Sequence, residues 1–385
     1  MRRNNGEGSA YYDNKRGRYT FRISYTDPVT LAKKRKSFYS KKSLSEAKTK
    51  ARDFIANIVK PGGGSPPQTV ESFLKKWLDM METVIKPKTW ERYKCLIECN
   101  ISPYPISQVL ITELTISDIQ QLLSTLTKSG GKHHQGLSAS TVNATRRLLI
   151  GALDTAVNDN VLTRNPAEYT KPMKGHRKEI MILSHEEGQR LKKYALKRSR
   201  FAWATVVLAL GTGMRISEIY GLEWSKINLG DKSLVVDKTV VTTRHGILIQ
   251  DSTKTSSSRR TILLPDSVCY VLKRLKLWQK VHDIRFGTKY TSQWVMSNPK
   301  GGPRSPSSFS GHDFKQLLEI SGIDRKFRIH DMRHTHATWL LEAGVNVKIV
   351  SERLGHSSIR ITLDTYAHAL QTMQQQAVDS LNKFF

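Results

Sequence analysis

The chain has 385 residues, more than one hydrophobic core usually serves, so two or three domains are expected. Its 62 Lys and Arg against 33 Asp and Glu leave a net charge of +29, which selects a polyanion, nucleic acid before membrane, as partner. Hydrophobic residues make up 38% and are dispersed: no run approaches the ~20 residues of a membrane span and no secretory apolar segment opens the chain, so a soluble, cytoplasmic protein, nucleoid-associated when on DNA, is expected.

Residues 1–60 read as a small basic module of three strands and a helix. In the middle strand Tyr19, Phe21, Ile23 and Tyr25 alternate with Arg18, Thr20, Arg22 and Ser24, which predicts one buried and one cationic face. The pattern Ser43-Leu44-Ser45-Glu46 caps a helix running to about Val59. A three-stranded sheet can lie in a major groove, and Arg18, Arg22, Lys34, Arg35, Lys36, Lys41 and Lys42 are the expected DNA contacts of this module. The glycine- and proline-rich run 61–67 is a linker. Residues 68–170 are expected to form an all-helical domain, with Val70, Phe73, Leu74, Trp77 and Leu78, then Ile116, Ile119, Leu122 and Leu123, then Val142, Leu148, Leu149, Leu153 and Val157 at helical spacing. Arg146 and Arg147 interrupt the last set with charge and are expected on DNA, and Asn165-Pro166 is expected to end the last helix. A second linker, 171–179, carries Lys174, Arg177 and Lys178 and suits a phosphate backbone. The remainder, 180–385, is α+β and mainly helical: a helix capped by Ser184, a buried one over Ala202–Leu210, then short strands near Val235, Val240, Ile247 and Thr261.

Six residues in this last region carry reactive chemistry, and none is decisive alone. Arg215 follows a glycine turn, with Glu218 at i+3 to fix it. Lys254 lies in a polar run between strands and is expected at a hairpin tip, where it can donate a proton to a leaving alkoxide. His330 and Arg333 share one face at the start of a helix, so both can address one phosphate. His334 and His336 face differently and lack a carboxylate-rich counterpart, which disfavours zinc. Cys95, Cys99 and Cys269 also lack metal-ligand spacing and are expected as reduced thiols in the core, and neither metal nor other cofactor is called for. His356 stands at a glycine-serine junction between helices, and Tyr366 follows it.

The order Arg215, Lys254, His330-x-x-Arg333, His356, Tyr366 resembles the catalytic pattern of the tyrosine recombinases, also called phage-type integrases, with no member substituted. The strings Thr212-Gly213-Met214-Arg215-Ile216-Ser217-Glu218 and Leu354-Gly355-His356-Ser357 are also of the family's type. The likeness extends to 68–170, similar to the family's core-binding domain, and by size, charge and strand pattern to an arm-binding module at 1–60. It implies a site-specific recombinase that integrates and excises a mobile element. Tyr366 would attack the scissile phosphate to give a 3′-phosphotyrosine, without metal or ATP. Arg215, Arg333 and His356 would stabilise the transition state, Lys254 would protonate the leaving 5′ oxygen, and His330 would assist as proton donor or acceptor. The resemblance further implies double-stranded DNA with core and arm sites as partner, possible bending and excision proteins, and a homotetramer linked by the tail. In that tail Leu370, Met373, Ala377, Val378, Leu381 and Phe384 form an apolar stripe that docks on a neighbour or on its own chain. Two other readings stand: a Xer-like dimer-resolution recombinase, for which an arm module is superfluous, and a sequence-specific DNA-binding protein without catalysis.

Overall fold

The structure is a computed structural model that describes residues 8–14, 16–26, 33–59, 68–175, 180–251 and 259–366, with Val378 and Asn382. It divides into two compact units, residues 1–177 and 178–385.

In the first unit β1 (Ser9–Asp13), β2 (Arg18–Thr26) and β3 (Lys33–Ser40) form an antiparallel sheet in that order. Helix α1 (Leu44–Val59) begins where the Ser43 hydroxyl accepts the Glu46 amide, and the Ser40 hydroxyl donates to the Glu46 carboxylate. It covers one face of the sheet with buried Ala47 and Ala51 and with Phe54, whose ring lies 5.2 Å from those of Tyr25 and Phe38. Ile23 is buried on this face, as the alternation predicts. The opposite face carries Arg18, Arg22 and Arg35 with exposed Tyr11 and Tyr39, and Arg18 lies 3.8 Å over the Tyr39 ring. Thr20 departs from the expected polar exterior: flanked in register by Tyr11 and Tyr39, it is buried. Lys34 and Lys36 also depart from the expected cationic face. Their partners in register are Tyr25 and Ile23, which puts them on the side that α1 covers, and the Lys36 ammonium sits 3.8 Å from the Phe54 ring. Lys41 and Lys42 are exposed in the turn that follows β3.

The helical part comprises α2 (Val70–Met80), α3 (Pro87–Asn100), α4 (Ile116–Ser129) and α5 (Ala139–Asn158). Nearly all the apolar positions read from the spacing line its core, with Ile116 and Val157 at its edge. Helix α5 ends at Asn158, short of Asn165, because Asn165 folds back and donates to the Ile150 carbonyl and the Asp154 carboxylate. Arg146 is turned inward: its Nε and Nη2 donate to the carbonyls of Thr170 and Glu168, so this guanidinium ties α5 to the following segment, whereas Arg147 is exposed. The described half of the expected second linker is docked on the bundle. Asn143 donates to the Met173 carbonyl and accepts its amide, and the Lys171 amide donates to Gln120, with Lys174 exposed. Arg177 and Lys178 lie outside the described residues.

The second unit starts with α6 (His185–Arg198), closed by a capping box between Ser184 and Glu187, and α7 (Arg200–Thr212), buried along nearly its whole length. After α8 (Ile216–Tyr220) come β4 (Ile227–Asn228), β5 (Ser233–Val236), β6 (Lys238–Thr243), β7 (Gly246–Asp251) and β8 (Arg260–Leu263). They form two sheets, β4-β5-β8 and β6-β7. The expected hairpin around Lys254 is therefore corrected: β7 pairs with β6 and β8 with β5, so the run between them joins two sheets. Lys254 itself lies outside the described residues. Helices α9 (Asp266–Phe286), α10 (Ser307–Ser310), α11 (His312–Ile320), α12 (Asp331–Glu342) and α13 (Val347–Leu354) follow, and residues 359–366 are helical. Most of the tail stripe falls outside the described residues; Val378 is exposed. No described helix is long and apolar enough to cross a membrane.

Candidate active site

Helix α7 stops because Gly213 takes φ 68°, a left-handed turn in which a Cβ would come within 2.6 Å of the His336 ring. The chain then restarts at Arg215, which caps α8. Its amide donates to one Glu218 oxygen at 2.9 Å and its guanidinium to the other at 2.7 Å. Glu218 is 3% exposed and also receives Arg260, the first residue of β8, at 2.8 and 3.3 Å. Burial alone would raise this carboxyl, but the Arg260 bond and charge and the Arg215 charge outweigh it and hold it down at about 2. Glu218 thus joins two arginines and not one. Arg260 further donates to the Arg353 carbonyl, which ties β8 to the end of α13.

Arg333, in the first turn of α12 and buried, links the remaining parts. One terminal nitrogen donates to the Gly213 carbonyl at 2.8 Å, the other to the Leu354 carbonyl at 2.6 Å. These carbonyls stand two residues before Arg215 and two before His356, so one guanidinium brings both loops to the head of α12. Burial and the neighbouring Arg215 charge lower the Arg333 guanidinium from its usual range. Gly355, at φ 68°, turns the chain out of α13, and His356 Nδ1 pairs with the Thr362 hydroxyl at 2.8 Å. Burial, then Arg333 and Arg215, push the His356 imidazole down to about 4. His330, at the cap of α12, is lowered by burial and by the same two arginines.

Tyr366 is 1% exposed, packed with Ala337, Leu341, Val350 and Leu354, and burial pushes its hydroxyl up to about 12 against the pull of Arg333. Its hydroxyl meets Nδ1 of His334 at 2.8 Å. His334 shares a helix face with His330, their ring centres 5.1 Å apart, and burial followed by His330 lowers it to about 4. His336 turns the other way. Its Nδ1 pairs with the Leu210 carbonyl at 2.7 Å and its Nε2 accepts from Arg353, whose other arm donates to the Gly211 carbonyl. These two histidines therefore serve separate ends, and of the three cysteines expected in the core only Cys269 is buried, Cys95 and Cys99 being exposed on α3.

The structure thus brings Arg215, Glu218, His330, Arg333, His356 and Tyr366 into one neighbourhood. Arg260, His334, His336 and Arg353 belong with them; in the sequence the first and last carry no assigned role and the two histidines are weighed only against zinc. For Arg260 the signal was the two-residue period: Arg260, Ile262 and Leu264 share a face, and the latter two are core. For His336 it was the three-residue step from Arg333. Arg215, Arg260 and Arg333 surround one carboxylate, Glu218, and this surplus of fixed cations suits a phosphodiester.

Residues 182–373 match the phage integrase family, and residues 69–127 the N-terminal SAM-like domain of phage integrases. The chain is 31% identical to a tyrosine recombinase XerC-like protein of Caldanaerobacter subterraneus subsp. tengcongensis, across 91% of this chain and 92% of that one. It is 27% identical to the ICEBs1 integrase of Bacillus subtilis, over 80% of each. Among solved structures, the Tn1549 transposon integrase in complex with transposon right end DNA has the same fold, with a TM-score of 0.65 and 22% identity over 80% of this chain and 99% of that one. A lambda integrase dimer bound to a core site gives 0.58 and 18% over 95% and 96%. The chain belongs to the phage integrase family and is a tyrosine recombinase, an enzyme that breaks and rejoins DNA at specific sites. Its relatives also include the transposase from transposon Tn916 of Enterococcus faecalis, 25% identical over 64% of this chain and 63% of that one.

Proposed function

We propose that Tyr366 attacks the scissile phosphate, held by Arg215 and Arg333, to give a 3′-phosphotyrosine and a free 5′ hydroxyl. The observation that carries this reading is the pair of hydrogen bonds that Arg333 donates to the Gly213 and Leu354 carbonyls, which brings the Arg215 and His356 segments to the head of α12, where Tyr366 also packs. The two guanidiniums stabilise charge on the nonbridging oxygens and neutral His356 adds a hydrogen bond there. Lys254 donates the proton to the 5′ oxygen, and His330, a neutral imidazole beside both arginines, assists proton movement. The bond energy stays in the phosphotyrosine, so rejoining needs no ATP.

In this reading residues 1–60 form an arm-binding domain and 68–170 a core-binding domain, with linkers at 61–67 and 171–179 and the catalytic domain at 180–385. The open sheet face with Arg18, Arg22 and Arg35 reads arm-type DNA, while Lys41, Lys42, Arg147, Lys174, Arg177 and Lys178 supply backbone contacts. Four protomers act on two duplexes in the cytoplasm, joined through the tails, with DNA-bending and excision proteins as further partners. A dimer-resolution role, which the name of the XerC-like relative suggests, gives the sheet face no second site to read. The deciding experiment traps the covalent intermediate on a nicked suicide substrate. A denaturant-resistant adduct with the wild-type chain, absent in Tyr366→Phe with DNA binding retained, is the expected result; an adduct that persists in the variant removes Tyr366 as the nucleophile.

A further inference from the structure

Besides the six residues of the proposed chemistry, one side chain touches the reacting oxygen itself. His334 Nδ1 lies 2.8 Å from the Tyr366 hydroxyl, nearer than any other hydrogen-bond partner among the described residues. The tyrosine ring is fixed by packing on Ala337, Leu341, Val350 and Leu354, so the hydroxyl cannot turn from this contact without moving the helix that carries it. His334 is fixed in turn: it sits in the first turn of α12, one residue beyond Arg333 and four beyond His330, whose ring meets its own edge to face at 5.1 Å.

We propose that His334 positions the nucleophile and receives its proton. This rests on Tyr366 being the attacking residue. With the imidazole protonated on Nε2, Nδ1 accepts the phenol hydrogen, which leaves the lone pairs of the oxygen free to face phosphorus. In the free enzyme the phenol keeps its proton, since burial holds the hydroxyl up and the imidazole down. The groups that act on this imidazole are His330, Asp331, Arg333 and Arg328 from its own helix and the turn before it, and His356 from the junction after α13. A phosphodiester bound by the arginines adds a negative charge to that set, which raises the basicity of Nδ1 as the substrate docks. Attack forms the bond from the Tyr366 oxygen to phosphorus and breaks the one from phosphorus to O5′. The phenol proton passes to Nδ1 and O5′ takes a proton from the general acid opposite. In rejoining both protons return. His330 is then left free for the phosphate side of the reaction, which divides between two histidines what one was expected to do.

The test uses the full chain and a suicide substrate whose scissile 5′ bridging oxygen is sulfur, a leaving group that needs no general acid, so any loss lies on the nucleophile side. His334→Leu should bind core DNA as the wild type does and form adduct about a hundredfold more slowly at pH 7.5. Its rate should climb about tenfold per pH unit toward pH 9, as solvent hydroxide replaces the missing acceptor. His334→Asn, whose side-chain oxygen can accept the phenol hydrogen bond but cannot hold the proton, should recover only in part, to about tenfold below wild type, and keep the same climb in rate toward pH 9. A purely structural histidine would slow both variants alike and leave the pH profile flat, and that result overturns the proposal. So does His334→Leu cleaving within about threefold of wild type. If Tyr366→Phe still forms adduct, the underlying assignment fails whatever residue 334 does, so the two failures are distinct. Should His334→Leu not fold, as judged by loss of DNA binding and thermal transition, the Asn variant decides: an unchanged rate and pH profile with reduced stability refutes the role.

Discussion

Replacing Glu218 by Gln removes the one carboxylate among three guanidiniums while keeping the shape of the side chain. A carboxyl held at about 2, against 4.5 for a free glutamate, stabilises the folded state by about 3 kcal/mol at neutral pH, since each tenfold step is about 1.4 kcal/mol. The figure needs no discount for solvent because the side chain is 3% exposed. The amide satisfies one arginine with its oxygen and turns two donors toward the other, so Arg260, itself 7% exposed, keeps a buried charge without a counter-ion. The catalytic unit should therefore lose about 3 kcal/mol, or about 6–12 °C of its unfolding temperature. The sign with pH is fixed. The folded pKa is depressed, so the contribution is complete above about 4.5 and disappears as pH falls toward about 2. Hydrogen exchange of the α7 and α12 amides in the full chain, at pH 7 and at pH 3, isolates this unit from the other. Wild type and variant should differ by about 3 kcal/mol at pH 7 and by less than half of that at pH 3. A gap below about 1 kcal/mol at pH 7, or one that does not narrow, refutes the reasoning. Cleavage should also drop by about two orders of magnitude, because Arg215 loses the carboxylate that orients it.

The histidines lose stability in the same direction as the carboxyl, toward acid, but over a higher pH window. His334, His336 and His356 are all held at about 4, below the ordinary 6.5, so acid favours the unfolded chain, which takes their protons first. The DNA-free catalytic unit should begin to lose stability as pH falls below about 6.5 and continue to about 4; His336, nearly fully buried, contributes most and the half-buried pair less through screening. Protection of α12 amides that is equal at pH 7 and pH 5 would contradict this. On the sheet, Arg18, Arg22 and Arg35 changed together to Gln should weaken arm-type binding and reduce its log–log salt slope by about 2–3, with core-site cleavage unchanged; the same loss from Lys34 and Lys36 would contradict the assignment of faces. Lys254→Ala should slow cleavage of an ordinary phosphate by at least about a hundredfold and be rescued by the bridging-sulfur substrate; no rescue would place the lysine elsewhere.

What the sequence made legible was whatever depends on period and order. The strands of the small module, the apolar faces of the bundle and the buried α7 follow from spacing, and the order of the reactive residues carried the family resemblance. What it concealed were contacts between charged side chains and backbone carbonyls. Arg146 looks like a DNA contact because charge on a helix reads as surface, yet four hydrogen bonds to Thr170 and Glu168 turn it inward. Lys34 and Lys36 were counted with Arg35 because they adjoin it, although in a strand neighbours face opposite ways; the pattern contained the correction and the charge run masked it. His334 illustrates the deeper limit. Its spacing from His330 was visible, but its partner lies at Tyr366, and only the folding of α12 against the last described helix shows that the hydroxyl has a fixed acceptor. A list of reactive residue types names the reagents of such a site. Which proton goes to which atom depends on contacts such as this one, and for Tyr366 that contact points to His334 before His330.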